Sequence, residues 1–390
     1  MMKKCMALLL AAILTLVSGL ALADAPVFEG LAGQIIADMG TGWNLGNTLD
    51  SNGEWLRSGP GTPKSYETAW GNPQATQELI QTIADAGFKT IRVPITWDHH
   101  IGPAPEYQVE AAWMDRVQTV VDYCMEAGVY CIINLHHDTG TDGWLHASKQ
   151  DVEEDSAKFS ALWTQIAQRF QDYGNKLIFE GFNEILDEKN NWGYPGAQAI
   201  QAVNHFNQLF VDAVRAVGGQ NASRCLIVNT YAASNVDRMM AELVLPQDSA
   251  PHALMTQVHY YSPLTYCFER ANGNNLQTVW TENKGRESLM YVLKNVEKYF
   301  TSKGVPTVIG EFGACHKENE ADRADWAKFV VETCEKYGVK CIWWDNGGKI
   351  PRKLDQYNQF GLIDRYNVEW IFPSIVEAMT GVSPAPVKGQ

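Results

Sequence analysis

Short apolar runs alternate eight times with segments whose apolar residues recur at helical spacing, and this alternation restricts the fold more than any other feature of the chain. Strands are expected at 42–46, 90–94, 130–135, 177–183, 224–229, 254–259, 305–310 and 340–344. Helices are expected at 77–86, at 110–127 with Trp113, Val117, Val120, Val121 and Cys124 on one face, and at 156–173. Further helices carry Val203, Phe206, Phe210, Val214 and Val217, span 236–242, or carry Leu289, Leu293, Val296 and Phe300. The last two place Trp326, Phe329, Val330 and Tyr337 on one face and close the chain at 374–380. Eight strand-helix units in one chain of this length indicate an α/β fold, a (β/α)8 TIM barrel forming a single domain. An open doubly wound sheet shares the periodicity. Against it, no Gly-rich phosphate fingerprint follows the first strand, and polar residues collect at most strand ends rather than at one crevice.

A barrel of this kind keeps its chemistry at the carboxyl ends of its strands. The fourth apolar run, Leu177-Ile178-Phe179-Glu180-Gly181-Phe182-Asn183-Glu184, stops at an Asn-Glu pair, and the seventh, Val305-Pro306-Thr307-Val308-Ile309-Gly310-Glu311, stops at a glutamate beside glycines. Two carboxylates delivered from two strands suit glycoside hydrolysis, one to move a proton and one to stabilise or attack the sugar carbon. A single strand-end glutamate is ordinarily solvated or salt-bridged; two in this register reverse that expectation. The other strand ends carry Arg92, then Asn134, His136, His137 and Asp138, then His259 and Tyr261, and finally Trp343, Trp344, Asp345 and Asn346. Arg92 has a structural reading as an ion-pair partner. A metal reading of His136-His137-Asp138 is disfavoured because adjacent strand residues face opposite sides, so no metal and no cofactor is expected.

These phrases resemble glycoside hydrolase family 5, with wording most similar to the bacterial endoglucanases of its subfamily 4. The resemblance is carried by Gly42-Trp43-Asn44-Leu45-Gly46-Asn47-Thr48-Leu49-Asp50, Trp70-Gly71-Asn72-Pro73, Arg92-Val93-Pro94-Ile95-Thr96-Trp97, Asn134-Leu135-His136-His137, Asn183-Glu184, His259-Tyr260-Tyr261-Ser262-Pro263, Gly310-Glu311-Phe312-Gly313 and Trp343-Trp344-Asp345-Asn346-Gly347. The resemblance implies a retaining endo-β-1,4-glucanase with Glu184 as acid/base and Glu311 as nucleophile. It further implies that Arg92 and Tyr261 stabilise the nucleophile, that Asn183 meets the sugar 2-hydroxyl, that His136, His137 and His259 belong to the site, and that Trp344 lies beneath the scissile sugar. Xyloglucan, mixed-linkage β-glucan, xylan and mannan remain as alternative substrates, since loops choose among them. A metal-dependent barrel hydrolase and a catalytically silent glycan-binding protein are the competing classes.

Sugar faces stack on aromatic rings. Trp55, Trp97, Trp144, Trp192, Trp280 and Trp344 are expected in or beside strand-end loops, whereas Trp113, Trp163 and Trp326 occupy helical core positions. Ile185 and Asp138 stand where relatives often have proline and glutamate, and the loops that hold them are expected to meet the glycan differently. Lys3 and Lys4 before the apolar run from Ala7 to Val17, followed by Ala21-Leu22-Ala23, read as a signal peptide over 1–23, with the catalytic domain at 24–390 and export to the periplasm or medium. With the last helix running close to Gln390, no carbohydrate-binding module is expected. A net charge of −14 disfavours nucleic acid and anionic membranes and suits a neutral plant polysaccharide acted on by a monomer. Seven cysteines outside the leader, none in C-x-x-C spacing, argue against a disulfide framework and leave room for one bridge.

Overall fold

The computed structural model describes residues 25–58, 61–140, 142–268, 277–347 and 359–384; the expected signal peptide lies outside them. Eight parallel strands close into a barrel in sequence order: β1 (Gly42–Leu45), β2 (Thr90–Val93), β3 (Tyr130–Asn134), β4 (Leu177–Glu180), β5 (Leu226–Asn229), β6 (Leu254–Tyr260), β7 (Thr307–Phe312) and β8 (Lys340–Asp345). β8 pairs back onto β1, with Asn44 opposite Trp344, so the open-sheet alternative is excluded. Around the barrel lie α1 (Gly30–Asp38), α2 (Pro63–Glu67), α3 (Gln77–Asp85), α4 (Ala111–Glu126), α5 (Lys149–Arg169), α6 (Ala197–Val217), α7 (Asp237–Ala241), α8 (Leu264–Cys267), α9 (Glu282–Tyr299), α10 (Glu320–Lys336) and α11 (Pro373–Thr380).

Two apolar cores follow from the strand alternation. The outward residues of the strands pack under the helices, while Ile132, Ile178, Ile227, Met255, Val308 and Ile342 form a separate cluster inside the barrel. Ala32, Ile35, Ile36 and Met39 of α1 and its cap join that inner cluster and close the amino-terminal end. Burying each of these two isoleucines stabilises the closure by about 1.5–3 kcal/mol. Sequence reading passed over α1, although its apolar residues stand at i, i+3, i+4 and i+7. It also started α5 seven residues late. The helix begins at Lys149 because Ser148 caps it, accepting the Asp151 amide at 3.1 Å, and its acidic first half hides the apolar period. β4 stops at Glu180, three residues before the expected end, and Phe329 and Tyr337 on α10 and its cap are only half-buried. The seven cysteines among the described residues are buried and unbridged, so the open place for one disulfide is not filled there.

One irregularity in the barrel matters for the chemistry. Val258 pairs with Ile309 and His259 with Glu311, while Ile309 pairs with Cys341 and Phe312 with Trp343, so β7 holds one residue more than either neighbour. Val308 faces inward and Ile309 outward; strict alternation would then send residue 310 inward and Glu311 out. The extra residue resets that parity and turns Glu311 into the barrel.

Candidate active site

Directly above the inner apolar cluster the strands supply polar side chains: Asn44, Arg92, Asn134, Glu180, Asn229 and Gln257, all buried. Arg92 is the hub. Its Nε and Nη2 donate to the two oxygens of Glu180 at 2.6 and 2.7 Å, and Nη2 also donates to Asn183 Oδ1 at 2.8 Å. Nη1 donates to Asn44 Oδ1 at 2.9 Å and to Glu311 Oε1 at 2.8 Å. The ion-pair reading of Arg92 and its reading as a partner of Glu311 are thus both realised, on opposite edges of one guanidinium. Glu180 and Glu311 raise the Arg92 pKa against the effect of burial, so the cation is permanent.

Glu311 receives a second donor from Tyr261 Oη at 3.0 Å and faces His259 Nδ1 at 3.5 Å. Burial and the carboxylate of Glu184 push the Glu311 pKa up, while His259 and Arg92 pull it down; the net direction is upward. Glu184 reaches the same imidazole: its Oε1 lies 2.6 Å from His259 Nδ1. Oxygens of Glu184 and Glu311 come within 4.8 Å of each other, with His259 between them. Burial lowers the His259 pKa, but the two carboxylates outweigh it and raise it overall. The loop that holds Glu184 is fixed by its neighbours: Asn183 N donates to Leu135 O at 2.8 Å, and Asn229 Nδ2 donates to the carbonyls of Phe182 and Asn183.

His136 sits under the cleft with a defined tautomer. Asn134 Oδ1 accepts the Ile95 amide at 3.1 Å, so its Nδ2 is the donor at 3.2 Å to His136 Nδ1, and the imidazole carries its proton on Nε2. That nitrogen is 4.0 Å from Glu311 Oε1. Burial, with His137 and Arg92 nearby, keeps the His136 pKa well below the usual range and the ring neutral. Trp344 stacks on His136 with centroids 5.7 Å apart and planes 3° from parallel. Gly46 makes the space for it, because a Cβ there would lie 2.8 Å from the Trp344 ring. His137 donates from Nδ1 to Asp50 O at 2.7 Å.

One expectation needs correction, and burial sorts the loop residues. The rings of His136 and His137 lie edge to face, 4.5 Å apart, because β3 ends at Asn134 and strand alternation no longer applies; a site of Asp50, His136 and His137 ligand atoms within 4.8 Å exists. Within it the Asp50 carboxylate accepts the Asn47 and Thr48 amides, at 3.1 and 2.6 Å. Trp97 is fully buried, donating to Asn134 O, and Trp280 packs on Phe329 of α10. Trp144 is tied to Asp138 at 2.9 Å with Lys158 over its ring. Asp138 and Ile185 are themselves fully buried, while Thr139, Gly140, Glu184 and Leu186 of the same loops line the cleft. Burial, with Asp98 nearby, pushes the Asp138 carboxyl up to about 7 despite donors from Trp97 and Trp144. Trp343 and Asp345 point away from the mouth; Asp345 pairs with Arg365 at 2.8 Å.

Sequence reasoning missed Glu180, Asn44 and Trp70. The signal for the first was a charged residue inside an apolar strand, which needs an opposite charge from another strand. Trp70 lines a cleft of about 340 Å³ with Asn52, His137, Asn183, Glu184 and the exposed Trp192. A larger hollow of about 890 Å³, lined by Gly40, Lys89, Glu335 and Thr380, opens at the amino-terminal end and contains none of these groups.

Gly310 shows how narrowly the bulge is built. A Cβ there would stand 2.1 Å from Gln257 Oε1, and its carbonyl already accepts Asn44 Nδ2 at 3.0 Å. Gly310→Ala should therefore displace Glu311 and lower kcat about 10²-fold, with overpacking costing about 1–3 kcal/mol of stability. Steady-state rates and thermal melts check this; normal turnover would mean that the bulge does not aim Glu311.

Residues 49–350 match the cellulase family, glycosyl hydrolase family 5. The chain is 35 % identical over 351 residues to endoglucanase A of Ruminococcus albus, spanning 89 % of this chain and 91 % of that protein. Among solved structures it is similar to a subfamily 4 broad-specificity endoglucanase from Ruminococcus champanellensis with bound cellotriose (TM-score 0.82, 38 % identity, 92 % of this chain and 99 % of that one). It is also similar to a xyloglucan-specific endo-β-1,4-glucanase from a metagenomic library, in complex with cellotriose (TM-score 0.81, 36 % identity, 89 % and 98 %). With the closed barrel and the paired carboxylates at its mouth, these matches identify the chain as a glycoside hydrolase and a member of family 5.

Proposed function

We propose that the protein is an exported, monomeric endo-β-1,4-glucanase that acts by double displacement, with Glu311 as nucleophile and Glu184 as acid/base. The observation that carries this is the approach of their oxygens to within 4.8 Å. It fits the short spacing of a retaining pair, about 5–5.5 Å between carboxyl groups, better than the wider gap that must hold a water. The names of the relatives support the substrate class, and Lys3 and Lys4 before an apolar run support export.

Each residue has work to do in that reaction. Arg92 and Tyr261 give Glu311 two donors that keep it ionised and aim a lone pair at the anomeric carbon. As the glycosidic bond breaks, its oxygen takes the proton from Glu184, and the sugar becomes an ester of Glu311. Water then attacks the same carbon, giving its proton to Glu184 and freeing Glu311. With Asn183 Oδ1 held by Arg92, its amide nitrogen is the remaining donor for the sugar 2-hydroxyl. Trp344, with Trp70 and Trp192 along the cleft, offers faces for pyranose rings.

A panel of carboxymethylcellulose, mixed-linkage β-glucan, xyloglucan, xylan and mannan tests the substrate. Viscosity should fall faster than reducing ends appear, with the highest kcat/KM on a β-glucan backbone. NMR of the first products should show the β-anomer. Initial release of the α-anomer would sink the double displacement, and turnover of mannan or xylan alone would move the substrate assignment.

A further inference from the structure

We propose that Glu180 is a positioning residue for the nucleophile: by gripping the Nε/Nη2 edge of Arg92 it turns the other edge toward Glu311 and takes up part of the cation's charge. The inference rests on Glu311 acting as the nucleophile. Glu180 is fully buried on β4, and both its oxygens are engaged by the guanidinium, with Asn134 Nδ2 adding a third donor at 3.1 Å. A guanidinium gripped on one edge cannot rotate in its plane. Its Nη1 is then aimed at Glu311 and Asn44, and its remaining Nη2 hydrogen at Asn183. Glu180 therefore sets the direction of two groups that meet the substrate while touching none itself.

The charge balance follows from the same contacts. Glu311 is faced by Arg92 from β2, His136 beyond β3, Glu184 beyond β4, and His259 and Tyr261 from β6 and its loop. Glu180 is faced by Arg92, with His259 near enough to act on its charge. Burial alone would raise the Glu180 pKa, yet Arg92 holds it below the usual carboxylate range, so it is ionised throughout the working pH range. Were Glu180 neutral, the whole Arg92 charge would fall on Glu311, which would ionise more easily and attack more weakly.

Glu180→Gln keeps the shape and removes the charge. Its kcat should fall about 10²-fold with KM little changed, and the acid limb of kcat/KM should move down by about one pH unit. Loss of thermal stability alone would not move that limb. Glu180→Asp keeps the charge but draws it back by one methylene. It should keep the acid limb near its original place and lower kcat about tenfold, and it serves if the glutamine variant fails to fold. A glutamine variant with unchanged kcat and limb, a limb shifted upward, or an aspartate variant with unchanged kcat would each overturn the proposal. Labelling the unmutated enzyme with a 2-deoxy-2-fluoro cellobioside, located by mass spectrometry, separates the two readings. Label absent from Glu311 defeats the nucleophile assignment and this inference with it, whereas label on Glu311 together with an unaltered Glu180→Gln variant defeats this inference alone.

Discussion

Glu311→Gln is expected to lower kcat on a β-glucan by about 10⁵-fold, since no covalent intermediate can form, and yet to melt no earlier than the unmutated protein at neutral pH. Burial raises the Glu311 pKa in the folded state, so its ionised form is harder to hold in the fold than in the unfolded chain. The stability tied to the protonated carboxyl is present in full below the unfolded pKa, near the ordinary glutamate value, and is lost as pH rises through the raised folded value. At neutral pH the ionised Glu311 is therefore a burden on the fold, and the amide removes it. Arg92 keeps its other anion, Glu180, so no buried cation is abandoned. The melting temperature of the variant should equal or exceed that of the unmutated enzyme at pH 7, and the difference should shrink on acidification toward pH 4. Activity within tenfold of normal would remove Glu311 from the reaction. A large fall in melting temperature at pH 7 would show that its bonds to Arg92 and Tyr261 outweigh the strain of its burial.

What the sequence could disclose divides along physical lines. The barrel was legible because each strand and helix writes its own period, and the two glutamates were legible because each ends an apolar run. The means by which Glu311 comes to face inward was not. The residue count between Val308 and Glu311 has meaning only against the pairing of β6 and β8, which no local period records. Glu180 was overlooked for a related reason: inside Leu177-Ile178-Phe179-Glu180 it reads as a blemish in a strand until Arg92, 88 residues earlier, is set beside it. Burial sorted the tryptophans in a way that loop position could not, sending Trp97 into the core and leaving Trp192 exposed beside Glu184. The contact between His136 and His137 escaped because the alternation rule was applied one turn past the end of its strand.

Replacing Glu184 should produce a different kind of loss, and the difference assigns its role. Without a proton donor the alkoxide of a glucan leaves poorly, so Glu184→Ala should reduce turnover of polysaccharide by about 10²- to 10⁴-fold. A dinitrophenyl cellobioside needs no proton to leave, and Glu311, still held by Arg92 and Tyr261, should attack it at close to the normal rate. The second step still lacks a base, so a burst of dinitrophenolate followed by slow turnover is expected as the glycosyl-enzyme accumulates. Azide needs no base and should restore turnover, giving the β-glycosyl azide because it attacks the carbon on the face that Glu311 does not occupy. The same anion supplied to a Glu311→Gly variant should enter from the vacated face and give the α-azide. Removing the carboxylate also frees His259 Nδ1 from its 2.6 Å partner and leaves Glu311 as the nearest acceptor, at 3.5 Å. His259 should then lean toward the nucleophile and hold its charge less firmly, so the His259 imidazole should titrate at lower pH in this variant by NMR. An α-azide from the Glu184 variant, or equal losses on glucan and on the activated glycoside, would exchange the two roles or abolish them.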